Sequence, residues 1–236
     1  FERILPSNFK LFRNMKRALS IILIMVIPTF IFAQNYRLSL QAGYGTYSLG
    51  NMRAALGDAW NYHAGLGIKK VDDFPGFLNY SATAEMYLSS MHLLGINYAY
   101  YFTGGHNYKR DYSGEYSLKI PVNASRIGIQ YKFIFLSKDR LKYFAQARGG
   151  FVFSNMKTIE HIAINNVDSV SNTQKDTSST LFLEPSLGLS YNLGNGFSLD
   201  SSIGWQFDIT SEFLTKKYSY MYWTGLRLLV GIAYEF

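Results

Sequence analysis

The last ten residues of the chain, RLLVGIAYEF, alternate between apolar and small or polar side chains. If this segment is extended, every second side chain points to the same side, and Phe236, Tyr234, Ile232 and Val230 share one face. A helix would mix the two sets of residues. The alternation therefore predicts a half-buried β-strand with an aromatic residue at its end.

Seven further segments show the same alternation between an apolar and a polar face. They are YRLSLQAGYG, LNYSATAEMYL, HLLGINYAYYF, SRIGIQYKFIF, LKYFAQARGGFVF, LFLEPSLGLSYNL and FSLDSSIGWQFDIT. We expect strands of about 11 to 13 residues, longer than the usual five or six of soluble sheets. A strand of about 11 residues tilted by about 40° spans roughly 25 Å, the height of the apolar band of an outer-membrane barrel.

The segments between the predicted strands alternate between short and long. Short turns are expected at 89–91, 137–140 and 194–196, and long polar segments near 47–76, 103–123, 154–180 and 210–222. Short periplasmic turns and long extracellular loops are typical of transmembrane barrels. The pattern therefore predicts an all-β fold, an eight-stranded antiparallel up-and-down transmembrane β-barrel.

The composition fits such a barrel and leaves one alternative fold to weigh. The 236 residues include 19 Tyr and 18 Phe, only 17% are charged, and there is no cysteine. Aromatic residues favour strands, and the lack of cysteine excludes a disulfide framework, a thiolate metal site and a Cys nucleophile. A soluble barrel of the lipocalin kind would be polar outside and apolar inside, whereas here the polar face carries charges that a dry core would not take unpaired.

The front of the chain contains the three parts of a secretory signal peptide. Basic residues follow Met15, an apolar run extends over 19–32, and the small residue Ala33 ends the segment. An uncleaved anchor is the alternative, although the run is short for a membrane-spanning helix. We expect residues 1–14 to be a non-native upstream segment, 15–33 to be the signal peptide and 34–236 to be the barrel domain.

The alternation and the final aromatic residue make residues 36–236 resemble the small outer-membrane β-barrels of Gram-negative bacteria, of the eight-stranded OmpA, OmpX and OmpW type. In such barrels a last strand that ends in Phe is recognised by the barrel-assembly machinery, and VGIAYEF matches that signal with Phe236, Tyr234 and Ile232 in step. The segments GYGTYSLGNM, VDDFPGF and KRDYSGEY look like parts of the outer-membrane β-barrel domain proteins of Bacteroidetes, a family without a well-defined activity. The resemblance implies a location in the cell outer membrane, in contact with its lipid and lipopolysaccharide.

Assigning the polar face to the lumen places charges of both signs inside the barrel. The cations are Arg37, Arg126, Lys132, Lys142, Arg148 and Arg227, and the anions are Glu85, Glu184, Asp200, Asp208 and Glu235. Because an eight-stranded barrel is about wide enough to be filled by side chains, this balance predicts ion pairs rather than an open pore. We expect one cluster of Arg148, Glu184, Asp208 and Arg227 in the outer half, and a contact of Arg37 with Glu235 where the first and last strands meet.

The predicted loops and strand ends contain the candidate contacts for other molecules. Aromatic residues suited to interfacial girdles are Tyr36, Phe102, Phe153, Trp205, Tyr222 and Trp223. In the loop 103–123, Tyr108, Arg110, Tyr112 and Tyr116 form an adaptable surface of the kind used for binding an extracellular ligand. The segment NMRAALGDAW in loop 47–76 is expected to cap the barrel mouth or to touch a partner, and the polar loop 154–180 to be mobile.

Three classes of function follow from these expectations. The first is a surface or envelope protein with a sealed barrel, acting in adhesion, surface binding or envelope integrity. The alternative is a narrow porin-like channel for small solutes, and a lipid-modifying outer-membrane enzyme is the third.

An enzyme would need a His beside a Ser nucleophile and a carboxylate, and the spacing of His63, His106 and His161 singles out no such triad. Residues 1–33 hold five basic residues and one acidic residue, so the net charge of +7 falls to nearer +3 without them. We therefore expect no enzyme activity, no cofactor, no metal site and no nucleic-acid partner.

Overall fold

The computed structural model describes residues 35–49, 74–112, 114–164, 167–209 and 221–236. The proposed upstream segment and signal peptide, and most of loops 47–76 and 210–222, lie outside the described residues. Eight strands follow one another: β1 (Tyr36–Gly45), β2 (Phe77–Tyr87), β3 (His92–Asp111), β4 (Gly114–Lys138), β5 (Leu141–Ile164), β6 (Val167–Gly194), β7 (Phe197–Ile209) and β8 (Gly225–Glu235). The described part of the chain contains no helix long and apolar enough to cross a membrane.

Each strand pairs antiparallel with the next, and β1 pairs with β8, so the sheet closes into a barrel. The predicted eight-stranded up-and-down barrel is confirmed. The turns at one end are short, as expected. The turn between β6 and β7 contains Asn195 and Gly196 with φ of 52° and 81°, which is the left-handed backbone that a two-residue hairpin requires and that Asn and Gly adopt at low cost.

The outer surface of the barrel is apolar. Exposed side chains on all eight strands include Leu40, Leu78, Ile96, Ile129, Phe151, Leu187, Ile203 and Val230. The alternating residues point inwards, and buried Gln, Asn, Ser, Thr, Arg, Lys and Glu fill the interior. A soluble barrel has the reverse arrangement, so this surface is the lipid-facing band of a membrane-spanning barrel. The predicted location in the cell outer membrane agrees with it.

The prediction of a long loop is wrong for two of the four segments. Segments 103–123 and 154–180 are continuations of β3, β4, β5 and β6, which reach 20, 25, 24 and 28 residues. Only residues 112–113 and 165–166 join these strands. The cross-strand ladder continues above the barrel, for example from Asn155 to Thr177, because backbone pairing needs no apolar side chains on the face that meets water.

Candidate functional site in the barrel lumen

An ion-pair cluster occupies the periplasmic half of the lumen, and Arg37 on β1 is its centre. Its guanidinium lies 3.1 Å from Glu85 on β2 and 2.6 Å from Asp200 on β7. The Nε atom lies 3.2 Å from Glu235 on β8, the strand that closes the barrel against β1. Lys132 on β4 adds a second cation, 2.8 Å from Glu85. Together these contacts link five of the eight strands, β1, β2, β4, β7 and β8, inside the lumen.

A second cluster lies one layer higher and is built around Glu184 on β6. Its carboxylate pairs with Arg126 and lies 2.7 Å from Nη1 of Arg148. All three side chains are buried. Gln130 joins the two layers, because its amide donates to Glu85 at 2.5 Å and its carbonyl accepts from Nε of Arg148 at 2.5 Å. The two clusters therefore form one charged column along the lumen, from the periplasmic half towards the outer end.

Arg227 on β8 lies at the outer end of this column and binds mainly backbone carbonyls. It donates to the carbonyls of Thr46, at 2.7 Å, and of Trp223. Its guanidinium also lies 5.0 Å from the ring centres of Tyr47 and Tyr101, which is within the range of cation–π attraction. The two chain segments that follow β1 and precede β8 are thereby held in the barrel mouth.

Trp223 closes the outer end of the lumen. It is completely buried, its Nε1 donates to Ser154 at 2.8 Å, and Tyr47 meets it edge-on with ring centres 4.8 Å apart. Its expected place in an interfacial girdle is wrong. Trp223 precedes β8 instead of belonging to a strand, so strand alternation gives no information about its direction.

The other expected members of the outer cluster contact Trp223 instead of each other. Asp208 accepts from the backbone N–H of Trp223 and from the Gln206 amide at 2.7 Å. Arg227 binds the Trp223 carbonyl, and no ion pair joins it to Asp208 among the described residues. The expected four-residue cluster is thus a pair of Arg148 and Glu184, with Arg126 as an unexpected third member, below a separate arrangement around Trp223.

Apolar side chains close both ends of the charged column. At the periplasmic end, Leu93, Ile134 and Phe144 form a buried cluster, and Lys132 Nζ lies 4.8 Å from the Phe144 ring. At the outer end, Tyr47 and Trp223 belong to a larger buried cluster. That cluster also contains Leu49, Phe74, Tyr101, Tyr116, Leu118, Ile120, Val122, Phe182 and Met221. The charges lie between two apolar layers.

The candidate ligand contacts lie on the hairpin of β3 and β4. Tyr112 is fully exposed at its tip, Tyr108 is exposed, and Arg110 lies 4.0 Å from Glu115 with its side chain 67% exposed. Tyr116 is buried, so its expected role in a ligand surface is wrong: even-numbered residues of this part of β4 point inwards. Burial, together with the nearby Glu160 carboxylate, raises the pKa of Tyr116 to about 12.

The final strand carries the residues of the expected assembly signal. Phe236 and Tyr36 exchange backbone hydrogen bonds of 3.1 and 3.0 Å where the barrel closes. The side chains of Phe236, Tyr234 and Ile232 are exposed on the outer surface, and the rings of Phe236 and Tyr234 lie 5.6 Å apart. The three side chains form a row on the lipid face.

The histidines show two different arrangements. Nε2 of His106 lies 3.2 Å from Oγ of Ser117 on the outer face of the hairpin. His92 stacks on Phe133 and bonds to the Tyr131 hydroxyl at 2.6 Å. His63 lies outside the described residues. In the described ranges, no group of three or more His, Asp or Glu side chains is placed to hold a metal ion.

Comparisons with solved structures found similar β-barrels. The chain is similar to Neisserial surface protein A, at 15% identity over 86% of this chain and 97% of the other, with a TM-score of 0.45. It is similar to a major outer-membrane protein of Thermus thermophilus, at 12% identity over 85% and 99%, with a TM-score of 0.46. A third is Ail, the attachment invasion locus protein of Yersinia pestis, in complex with the heparin analogue sucrose octasulfate, at 12% identity over 85% and 99% and a TM-score of 0.40.

No protein-family model matches the sequence, and a search of curated proteins found no match. Because all three TM-scores lie below 0.5, the assignment of the fold rests on the strand pairing of this chain and on its apolar outer surface. Both are those of a small outer-membrane β-barrel with eight antiparallel strands.

Proposed function

We propose that this protein is a non-conducting outer-membrane barrel that displays two long β-hairpins outside the cell as a binding surface, in adhesion or in envelope integrity. The filled lumen is the observation that supports a non-conducting barrel. Arg37, Glu85, Arg148 and Glu184 are buried ion-paired residues of the lumen. Arg148 also donates to Gln41 on the opposite strand β1 at 3.3 Å, and Tyr101 on β3 donates to Gln206 on the opposite strand β7 at 3.1 Å. Trp223 is buried above them in the mouth. An ion would have to displace these pairs, which costs several kcal/mol per separated charge.

The two hairpins supply the surface. β3 and β4 continue to Asp111 and Gly114, and β5 and β6 to Ile164 and Val167, well beyond the last residue of β2 or β7 to which they pair. Paired strands hold their outward side chains in fixed positions, so a ligand meets an ordered surface and binding costs less entropy than with a free loop. Tyr108, Arg110 and Tyr112 offer rings and a guanidinium at the tip.

A narrow solute channel, the alternative, would require water to cross the apolar layers at both ends of the lumen. A lipid-modifying enzyme has no support at His106, whose side chain bonds to Ser117 and, among the described residues, to no carboxylate. The proposed function includes no enzyme activity and no cofactor. Its proposed partners are outer-membrane lipid and lipopolysaccharide, the assembly machinery through Phe236, and an extracellular ligand; membership of the Bacteroidetes family is part of the same proposal.

Adhesion of bacteria that carry the protein tests this function. Cells of a non-adherent Gram-negative host that express the full chain are expected to bind epithelial cells more than cells with an empty vector. The variant Y108S/R110S/Y112S is expected to lose this gain, and the matched control K138S/R140S, at the opposite end of the barrel, to keep it. Equal binding by the tip variant would refute the role of the hairpin, and no gain with either protein would refute adhesion.

A further inference from the structure

Three lysines lie on the outer face of the two hairpins. Lys119 on β4, Lys157 on β5 and Lys175 on β6 are exposed, while the residues next to Lys119 in the chain, Leu118 and Ile120, are buried. Since successive side chains of a strand point to opposite faces, all three ammonium groups point away from the barrel axis. We name Lys119, Lys157 and Lys175 the lysine band.

The strand register brings the band together. Lys157 lies directly opposite Lys175, and Lys119 lies opposite Ile159, the residue two positions after Lys157. Directly opposite residues have Cβ atoms about 5 Å apart and diagonal neighbours about 7–8 Å apart. Three positive charges on adjacent strands therefore lie within reach of one anionic group. His106 on β3, opposite Lys119, extends the band by one strand.

The band has no carboxylate partner in the described part of the chain. One ion pair on this outer face joins Arg110 to Glu115 nearer the tip. Glu160 lies opposite the inward-pointing Leu118, and Asp176 lies two positions from the inward-pointing Ser178, so both carboxylates belong to the other face of the sheet. Like charges directly opposite one another on paired strands are destabilising. A bound anion would remove this repulsion, and residues 35–49, 74–112, 114–164, 167–209 and 221–236 supply none at this place.

On β5, the height of Lys157 matches the polar surface of the bilayer. On β5 the outward residues Phe151 and Phe153 are exposed apolar side chains, and Lys157 is the second outward residue after Phe153. Four residues extend about 13 Å along a strand, or about 10 Å along the membrane normal at a tilt near 40°. This is the level at which lipid phosphates lie above the hydrocarbon region.

We propose that the lysine band binds the phosphate groups of outer-leaflet lipid. The ligand class is a phosphorylated lipid, held through charge-assisted hydrogen bonds from Lys157 and Lys175 and steadied by Lys119. The inference rests on the membrane location of the barrel and is independent of whether the lumen conducts, because all three lysines lie on the outer face.

Binding of labelled lipid A to the full protein in neutral maltoside micelles tests the proposal. Fluorescence anisotropy gives the affinity for diphosphorylated lipid A and for its dephosphorylated form. The variant K157Q/K175Q is compared with K138Q/R140Q, a matched removal of two charges at the periplasmic turn. Since a lysine near an anionic surface contributes about a fivefold change in affinity, the first variant is expected to lose roughly 20-fold and the control to be unchanged.

The folded state of each variant is checked by its heat-dependent mobility in gel electrophoresis, and a charge-conserving K157R/K175R variant is expected to bind as the wild type does. Unchanged affinity of K157Q/K175Q, or equal binding of dephosphorylated lipid A, would overturn the proposal. Displacement of the lipid by excess inorganic phosphate would assign the site to free phosphate. Lysine-dependent binding of a soluble sulfated polysaccharide, with none of lipid A, would overturn it in favour of a glycan.

Discussion

Replacing Glu184 by Gln removes the carboxylate that two buried arginines share. Gln has nearly the same size as Glu, so the packing of the lumen is retained while the charge is lost. Arg126 and Arg148, which both bind this carboxylate, then lie buried beside a neutral amide. Breaking a buried ion pair from one side costs about 3–5 kcal/mol, and we expect E184Q to lower the free energy of unfolding by that amount.

The assay is urea unfolding of the refolded barrel in phospholipid vesicles, followed by tryptophan fluorescence, with refolding measured to establish reversibility. E115Q is the control, because Glu115 forms an exposed contact of 4.0 Å with Arg110 and such pairs contribute about 0–1 kcal/mol. R148Q leaves Glu184 paired with Arg126, so it is expected to cost about 1.5–3 kcal/mol, the contribution of a hydrogen bond to a charged group.

The double variant R148Q/E184Q gives the sharpest comparison. It removes one of the two uncompensated cations of E184Q, so it is expected to be more stable than the sum of the single changes predicts. If E184Q unfolds within about 1 kcal/mol of the wild type, or if the two changes are additive, water or another group neutralises the arginines and the reasoning about the charged column is wrong.

Two further predictions concern the closing strand and the hairpins. F236A keeps the backbone bonds to Tyr36 and is expected to refold normally in detergent but to assemble less in cells, as measured by the heat-modifiable fraction in outer membranes; equal assembly would refute the signal. Because the pKa of Tyr116 is raised from 10.0 to about 12, the unfolded state loses its proton first, so stability is complete below about pH 10 and falls towards about pH 12. Y116F is expected to show a smaller fall between these two pH values in urea titrations, and an identical fall would contradict the pKa shift.

The alternation of side chains was enough to predict the barrel and to sort most side chains by face. Leu199, Ile203 and Phe207 on β7 point outwards and Ser198, Asp200 and Ser202 point inwards, as expected. Above the membrane, the alternation of side chains no longer predicted the strands. On β5, beyond Phe153, the outward positions are filled by Asn155 and Lys157, so apolar alternation disappears although the backbone ladder continues.

The sequence predicted which charged side chains lie in the lumen, but it predicted fewer of the contacts between them. The closeness of Arg37 and Glu235 follows from pairing of the first and last strands, whereas contacts across the lumen depend on depth and side-chain length. Gln130 and Gln206 carry no charge, so counting ions gave no reason to single them out, yet each bonds to members of more than one layer. Trp223 was missed because a residue outside a strand has no assigned face.

Single-channel conductance in a planar bilayer tests the sealed lumen most directly. The refolded full protein is expected to give no steady openings under conditions in which a general porin conducts. R148A, which removes the side chain that links Glu184 to Gln130, is expected to give brief openings. Steady wild-type openings, insensitive to this substitution, would show that ions pass beside the charged column and would contradict the account.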